Sequence, residues 1–148
     1  MIWCAIAKSG LLIIRRIKGK LNSDWYYDFI EKDVMPLLND QLGSYMFQQD
    51  NASCHVSKQT KEMFAMLGIQ LLPWPPHSPD LSPIENLWGI LKKRVYDGPN
   101  FKSLDEVWQR IETEVAKINE CPNQIPNLYN NYFSKMCDIL CCNGCLLK

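Results

Sequence analysis

Two carboxylates bound the most chemically suggestive stretch of this chain. Asp50 follows the short apolar-to-polar run at residues 46–49, which is typical of a buried strand that delivers the acid to its carboxyl end, where open α/β sheets bind ligands. Glu85 lies in the first turn of a predicted helix, with Ser82 as the N-cap and Pro83 at the first helical position. Mg²⁺ and Mn²⁺ prefer oxygen ligands, so two such acids could form a divalent-cation site for phosphoryl transfer.

The same residue types also have structural interpretations. Ser82 and Glu85 fit a capping box, in which the glutamate only accepts a hydrogen bond from the serine amide, and Asp50 with Asn51 is a common turn pair. Asp80 is a further candidate acid, although a Pro-Asp pair in a proline-rich loop is typical of a solvated turn. Spacing alone leaves the catalytic and the structural interpretations open.

The segments around the two acids resemble a known family. Residues 47–57 read FQQDNASCHVS and residues 74–89 read WPPHSPDLSPIENLWG, and both are similar to the catalytic core of mariner-type transposases of the Tc/mariner superfamily. Between Asp50 and Glu85 lie 34 residues, the spacing that marks the glutamate-ending branch of the Asp-Asp-Glu transposases and integrases. The resemblance runs from about residue 1 to residue 119 and more faintly to the C-terminus.

That resemblance implies a fold, a chemistry and a partner. The implied fold is α/β, a ribonuclease H-like mixed sheet flanked by helices, and the implied activity is the DNA cleavage and strand transfer of DNA transposition and integration. Asp50 and Glu85 take the positions of the family's second and third catalytic, metal-binding acids, with Mg²⁺ or Mn²⁺ as the cofactor. DNA, as transposon ends and target, is the implied partner, the nucleus is the implied location, and a homodimer is left open.

One acid of the family pattern has no match in this sequence. The first acid of the family lies on its opening, central strand, before the equivalent of residues 2–4, and the aspartates on or just after the first predicted helix do not match it. We therefore expect a partial catalytic domain at residues 1–120 that lacks this strand and is inactive alone, then a Cys-rich tail at residues 121–148. The alternative is a non-catalytic remnant that binds nucleic acid or protein.

Charge and composition limit the classes of protein. The chain has 16 Lys plus Arg and 16 Asp plus Glu, so it has no global basic field and any DNA contact must be local. Lys92, Lys93 and Arg94 form the candidate DNA-binding cluster, although a solvated helix end is an equally good interpretation. No apolar run approaches the roughly 20 residues that span a bilayer, and charges interrupt the N-terminal apolar stretch, which predicts an intracellular protein without a membrane segment or signal peptide.

Hydrophobic patterning predicts the elements that precede Glu85. Residues 2–7 and 11–17 form a predicted hairpin, and an apolar stripe over residues 25–38 predicts a core helix that Pro36 ends or kinks. A further helix is predicted over residues 58–67, with Ser57 as its N-cap, followed by a short strand over residues 69–72. The prolines after this strand make a stiff loop that would help to hold Glu85 at a fixed distance from Asp50.

Three helices are predicted from Glu85 onward. The first is expected to bury Leu87, Trp88, Leu91 and Val95 on one face. A capping box at residues 103–106 opens the second helix, and one more short helix is expected within residues 125–140 because prolines interrupt the pattern there.

Other residues invite a chemical interpretation. His55 beside a helix start is typical of a capping group or of a group that supports a metal ligand. Trp74 and Trp88 could stack on a base, although Trp88 lies on the apolar face of its helix. A zinc interpretation rests on the clustered cysteines Cys121, Cys137, Cys141, Cys142 and Cys145. Their spacing lacks two Cys-x-x-Cys arms, so reduced thiols are favoured.

Overall fold

The protein is described by a computed structural model of residues 1–39, 45–98 and 100–141. Its elements are the strands β1 (Ile2–Ala7) and β2 (Gly10–Arg16) and the helices α1 (Ser23–Phe29), α2 (Met35–Asn39), α3 (Ser53–Val56), α4 (Lys58–Met66), α5 (Pro83–Tyr96), α6 (Leu104–Asn119) and α7 (Gln124–Cys141). A π-helical segment (Ile30–Val34) joins α1 to α2, and a 3₁₀ turn (Pro79–Leu81) precedes α5.

Residue contacts divide the chain into two compact units. The first unit comprises Met1–Ile2 and Ile17–Ser78, and the second comprises Trp3–Arg16 and the described residues from Pro79 onward. The predicted boundary after residue 120 remains a prediction about the family domain. Within the second unit, α7 packs with α5 and α6.

The first unit is built around the helix that the apolar stripe predicted. Asn22 caps α1, because its side-chain oxygen accepts a hydrogen bond from the Trp25 amide at 2.9 Å. The buried side chains along this helical run lie at helical spacing: Tyr26, Phe29, Ile30, Val34 and Leu38. Phe64 of α4 lies edge-on to Tyr26, with ring centroids 6.3 Å apart, and closes the same core.

Pro36 changes this helix in a way that the sequence did not predict. An end or a kink was expected near Met35, but the helical run continues through α2 to Asn39. The Met35 amide donates to the Ile30 carbonyl, five residues back, so the wider π register lies in the turn before the proline. Proline has no amide to donate within a regular helical turn. The helix continues past Pro36 with a change of hydrogen-bond register in the preceding turn.

Two strands were predicted in this unit, at residues 46–49 and 69–72. The structure has a single parallel bridge there instead. The Phe47 amide donates to the Gln70 carbonyl at 2.7 Å, and the Leu72 amide donates to the Phe47 carbonyl at 2.9 Å, which pairs Phe47 with Leu71. Pro73 follows at once and has no amide to extend the ladder. In the part of the chain that the structure describes, the β component of the fold is this bridge and the β1–β2 hairpin.

The predicted hairpin is confirmed. Lys8 and Ser9 connect the two strands, and Gly10 begins β2 with a φ of 149°, which glycine adopts more readily than any other residue. In the second unit, the Tyr129 hydroxyl of α7 donates to the Ile6 carbonyl at 3.0 Å. This bond ties the longest helix to the hairpin.

Helices α5, α6 and α7 supply the core of the second unit. The buried residues of α5 are Leu87, Leu91 and Val95, whereas Trp88, which was predicted to join them, is only half-buried. α7 is one 18-residue helix rather than the short one expected, because Pro126 falls in its first turn, where a proline is tolerated. The buried apolar residues of α6 and α7 are Ile111, Val115, Ile118, Ile125 and Leu128.

Candidate metal centre

Asp50 lies between the Phe47–Leu71 bridge and α3. Its side chain is 71% exposed, yet Oδ1 accepts a hydrogen bond from the Ala52 amide at 3.0 Å and lies 2.6 Å from His55 Nδ1. Within the described residues both of these contacts are made to Oδ1, so Oδ2 retains its lone pairs for a cation. The first unit thus presents an exposed carboxylate in one fixed orientation.

Buried groups hold His55 in place. Its ring is 12% exposed and its centroid lies 4.7 Å from that of Tyr26. Gln49 connects the two residues, because its Nε2 donates to the His55 carbonyl at 3.2 Å and its Oε1 accepts the Tyr26 hydroxyl at 2.7 Å. Burial raises the pKa of Tyr26, with smaller contributions from Cys54 and Asp50, so this hydroxyl remains a donor at neutral pH.

The short helix α3, which the sequence did not predict, is anchored to α4. Ser57 caps α4 as expected, and its Oγ accepts the Thr60 amide at 3.1 Å. Thr60 is 1% exposed, and its hydroxyl donates to the Cys54 carbonyl at 2.5 Å. Because Cys54 precedes His55, this bond helps to determine where the imidazole lies.

A pocket of about 280 Å³ opens beside Asp50 in the first unit. Asn51, Lys61 and Trp74 line it together with the acid. Asn51 Nδ2 donates to the Trp74 carbonyl at 3.2 Å, which connects the acid's neighbour to the proline-rich segment. The lining therefore offers groups that can contact a metal ion, a phosphate and a base.

Glu85 lies in the second unit, exposed in the first turn of α5. Pro83 occupies the start of the helix and Ser82 the N-cap, as predicted. The Ser82 amide donates to the Pro79 carbonyl at 3.0 Å, so it does not require Glu85 as the acceptor of a capping box. The carboxylate lies at the positive end of the helix dipole. Its convergence with Asp50, which belongs to the other unit, stays a prediction.

Asp80 is exposed in the 3₁₀ turn, as expected for a solvated turn. It lines a cavity of about 540 Å³ in the second unit, together with Asn86 of α5 and Asp138 of α7. Across the described residues, no group of three or more His, Cys, Asp or Glu side chains is placed to hold a metal ion together. Cys142 and Cys145 of the zinc interpretation lie outside the described residues.

The basic cluster divides into two parts. Lys92 and Lys93 are exposed on α5. Arg94 is half-buried, and its Nη2 donates to Gln124 Oε1 of α7 at 3.2 Å. The two lysines therefore remain candidates for contact with phosphates, whereas Arg94 connects two helices.

Sequence reasoning gave His55 a capping or supporting role without identifying Asp50 as its partner. The sequence signal that could have identified this pair is its position, with Asp50 before the start of a short helix and His55 within it. Tyr26 lies on the predicted core stripe, and nothing local in the sequence relates it to Gln49 or His55.

Solved structures establish the class of fold. The crystal structure of the catalytic domain of Mos1 mariner transposase matches 99% of this chain and 75% of its own, with a TM-score of 0.67 and 16% identity. The Mos1 Strand Transfer Complex matches 99% of this chain and 43% of its own, with a TM-score of 0.79. The Mos1 catalytic domain was also solved with raltegravir and either Mg or Mn. The chain therefore has the ribonuclease H-like α/β fold.

The sequence establishes the family. Residues 1–108 match the family described as DDE superfamily endonuclease, and the chain belongs to that family. The Tc3 transposase of Caenorhabditis elegans is 34% identical over 146 residues, which are 97% of this chain and 44% of the relative. The Tcb2 transposase of Caenorhabditis briggsae is 34% identical over 122 residues, which are 78% of this chain and 45% of the relative. The chain spans less than half of these relatives and corresponds to part of a transposase catalytic domain.

No helix within the described ranges is long and apolar enough to cross a membrane.

Proposed function

We propose that this chain contributes two metal-binding catalytic acids, Asp50 and Glu85, to a DNA transposase. The observation that carries the proposal is the presentation of Asp50, whose exposed carboxylate has Oδ1 fixed by two donors. The family match over residues 1–108 includes both acids, and their spacing supports the assignment of Glu85.

Mg²⁺ or Mn²⁺ is the proposed cofactor, and the donor set fits it. Both acids are exposed carboxylates, and hard oxygen ligands with several retained waters suit these ions. A bound divalent ion would activate water and polarise a phosphodiester. The part of Asp50 is to offer a preoriented oxygen, and the part of Glu85 is to add a second negative charge from the end of a rigid helix.

DNA is the proposed substrate and partner, with transposon ends cut by water and the freed 3′ hydroxyl joined to a target strand. Lys92 and Lys93 of α5 are the proposed phosphate contacts, and Lys61 of the pocket beside Asp50 is a further cation of the same kind. A nuclear location and assembly as a homodimer belong to the same proposal.

Titration with Mn²⁺ tests the assignment of Asp50. The wild-type chain, Asp50→Ala and Asp28→Ala would be compared by electron paramagnetic resonance of free Mn²⁺, since Asp28 is an exposed aspartate of the same unit that pairs with Lys32. We expect Asp50→Ala to weaken binding by more than ~10-fold, because loss of a ligand exceeds the loss of a supporting contact. Asp28→Ala should bind as the wild type does.

Equal Mn²⁺ affinity of the wild type and Asp50→Ala would contradict the metal site. DNA binding that persists without any metal binding would instead favour a non-catalytic nucleic-acid-binding remnant. Because the net charge of the chain is zero, any such DNA binding would have to come from local basic residues.

A further inference from the structure

We propose that His55 is a positioning residue, which orients the Asp50 carboxylate for its metal ion by donating a hydrogen bond from Nδ1 to Oδ1. The proposal rests on the proposed function of Asp50 as a metal ligand. It assigns to His55 a role in the geometry of the ligand and no contact with the reacting atoms.

The contrast in exposure is the first argument. Asp50 is 71% exposed, so its side chain would rotate freely without a restraint, whereas the His55 ring is 12% exposed. His55 Nδ1 and Asp50 Oδ1 are 2.6 Å apart, within hydrogen-bond distance. The ring is therefore the side-chain restraint on an exposed carboxylate whose Oδ1 also accepts the Ala52 amide.

The second argument concerns which imidazole nitrogen carries the proton. Nδ1 faces a carboxylate oxygen, which can only accept, so Nδ1 must donate. Nε2 is buried, and within the described residues it has no hydrogen-bond partner. A proton on Nε2 would be a buried unpaired donor, which is costly. The surroundings thus select the tautomer with hydrogen on Nδ1.

The third argument is that His55 is itself held. Tyr26 is completely buried and packs against the imidazole with ring centroids 4.7 Å apart. Gln49 bonds both the Tyr26 hydroxyl and the His55 carbonyl, so the backbone and the ring of His55 are both fixed. Groups that orient metal ligands act in this way, and their loss typically weakens metal binding about 10–100-fold.

Paired substitutions test the proposal through metal affinity. His55→Leu keeps apolar bulk and removes the donor, whereas His55→Asn places an amide donor near the position of Nδ1. The control is His77→Asn, because His77 is exposed with a φ of 54°, a conformation that asparagine tolerates. We expect Mn²⁺ affinity to fall about 10–100-fold in His55→Leu. It should return to within about threefold of the wild-type value in His55→Asn and be unchanged in His77→Asn.

Wild-type affinity in His55→Leu would overturn the proposal, as would equally weak binding in His55→Leu and His55→Asn. Circular dichroism melting establishes that each variant is folded. Should His55→Leu not fold, His55→Gln replaces it, since its amide reaches the position of Nε2 rather than that of Nδ1.

A nitrogen-15 spectrum of the imidazoles at pH 8 is a second readout that needs no metal. The chain has two histidines, so His55→Asn assigns the signals. We expect His55 in the Nδ1–H tautomer, with this preference lost in Asp50→Ala. The Nε2–H tautomer in the wild type would overturn the proposal. Equal Mn²⁺ binding by the wild type and Asp50→Ala would contradict the proposed metal site and with it the role of His55 in metal binding, whereas the Nε2–H tautomer would contradict the His55–Asp50 hydrogen bond itself.

Discussion

At the scale of single residues, the exposed carboxylate of Asp50 contrasts with the buried groups that support it. The carboxylate faces solvent, while Tyr26, Cys54 and Thr60 behind it are all buried. Burial raises the pKa of the Cys54 thiol, which keeps it protonated and uncharged near the acid. The supporting residues therefore contribute neutral hydrogen bonds and packing, and the negative charge is left to Asp50.

Thr60→Val tests one of these supporting bonds. The valine keeps the shape of the side chain but leaves the buried Cys54 carbonyl without the donor that lies 2.5 Å away. We expect the free energy of unfolding to fall by about 1–3 kcal/mol, measured by urea denaturation. The matched control is Thr113→Val, because the Thr113 hydroxyl bonds the Gln109 carbonyl of its own helix at an exposed site. Equal losses in the two variants would show that burial of the bond has no effect.

At the scale of elements, α5 combines three roles along its length. Its N-terminus presents Glu85, its middle packs into the core of the second unit, and Lys92 and Lys93 are exposed near its end. The core face is narrower than the periodicity suggested, because Trp88 is only half-buried. The packing of the helix that carries Glu85 therefore rests on the buried residues Leu87, Leu91 and Val95.

Alanine substitutions along α5 should reflect this burial. Leu87 is 1% exposed, and Leu87→Ala is expected to cost about 2–5 kcal/mol of unfolding free energy through the cavity that it leaves. Trp88→Ala should cost less than Leu87→Ala, because part of its ring is already in water. Lys92→Ala should lie within about 0.5 kcal/mol of the wild type. Chemical denaturation of the three variants measures the order, and a larger loss for Trp88 would contradict it.

A polar network connects α6 to α5 and α7. Glu114 has a buried side chain that lies 2.8 Å from Lys117 and 3.4 Å from Arg110. Arg110 also donates to the Arg94 carbonyl at 3.4 Å, and Arg94 donates to Gln124. The hydrogen bond from Lys117 lowers the pKa of Glu114, against the opposing effect of burial, and the nearby arginines lower it further.

This lowered pKa predicts a dependence of stability on pH. The ionised form is favoured in the folded state, so its contribution is fully present above the ordinary glutamate pKa and is lost as pH falls through the lowered folded value. We expect Glu114→Gln to be less stable than the wild type at pH 6 and the difference to shrink toward pH 3. Urea midpoints at each pH measure it, with Glu112→Gln as the exposed control. A constant difference would contradict the linkage.

At the scale of the whole molecule, the neutral charge makes recognition of DNA a local matter. Equal numbers of acidic and basic residues give no long-range attraction to phosphates. A polypeptide of these 148 residues supplies Asp50 and Glu85 and no match to the first acid of the family pattern. In phosphoryl transfer, a pair of metal ions normally stabilises both the attacking and the leaving oxygen. We expect two acids to be too few to hold such a pair.

We therefore expect this polypeptide not to nick or join DNA that carries the ends of the parent element, even with Mn²⁺ present. The decisive comparison is with a version extended upstream by an Asp-bearing strand. Nicking by the shorter form at the rate of the extended one, with loss of activity in Glu85→Ala, would show that Asp50 and Glu85 suffice.

Residual DNA binding should be weak and sensitive to salt. If Lys92 and Lys93 each neutralise one phosphate, the double alanine variant should reduce the slope of log K against log salt by up to ~1.8. Lys32→Ala serves as the control, since that lysine pairs with Asp28 in the other unit. A slope that the double variant leaves unchanged would remove these two lysines from the interface.

The sequence by itself determined the features that depend on neighbours along the chain. The caps at Ser57 and Ser103 formed as their residue types predicted, and so did the β1–β2 hairpin. The motifs around Asp50 and Glu85 also identified the family. Such features involve residues that are a few positions apart, so their geometry is limited by the chain itself.

Only the tertiary structure decided how distant residues meet. It reduced two predicted strands to the Phe47–Leu71 bridge, left Trp88 only half-buried, and joined Arg94 to Gln124. It also brought Tyr26 and Gln49 together behind His55, and so gave Asp50 its fixed orientation. These contacts depend on how helices pack, since packing selects the partner of each polar group from residues that the sequence places far apart.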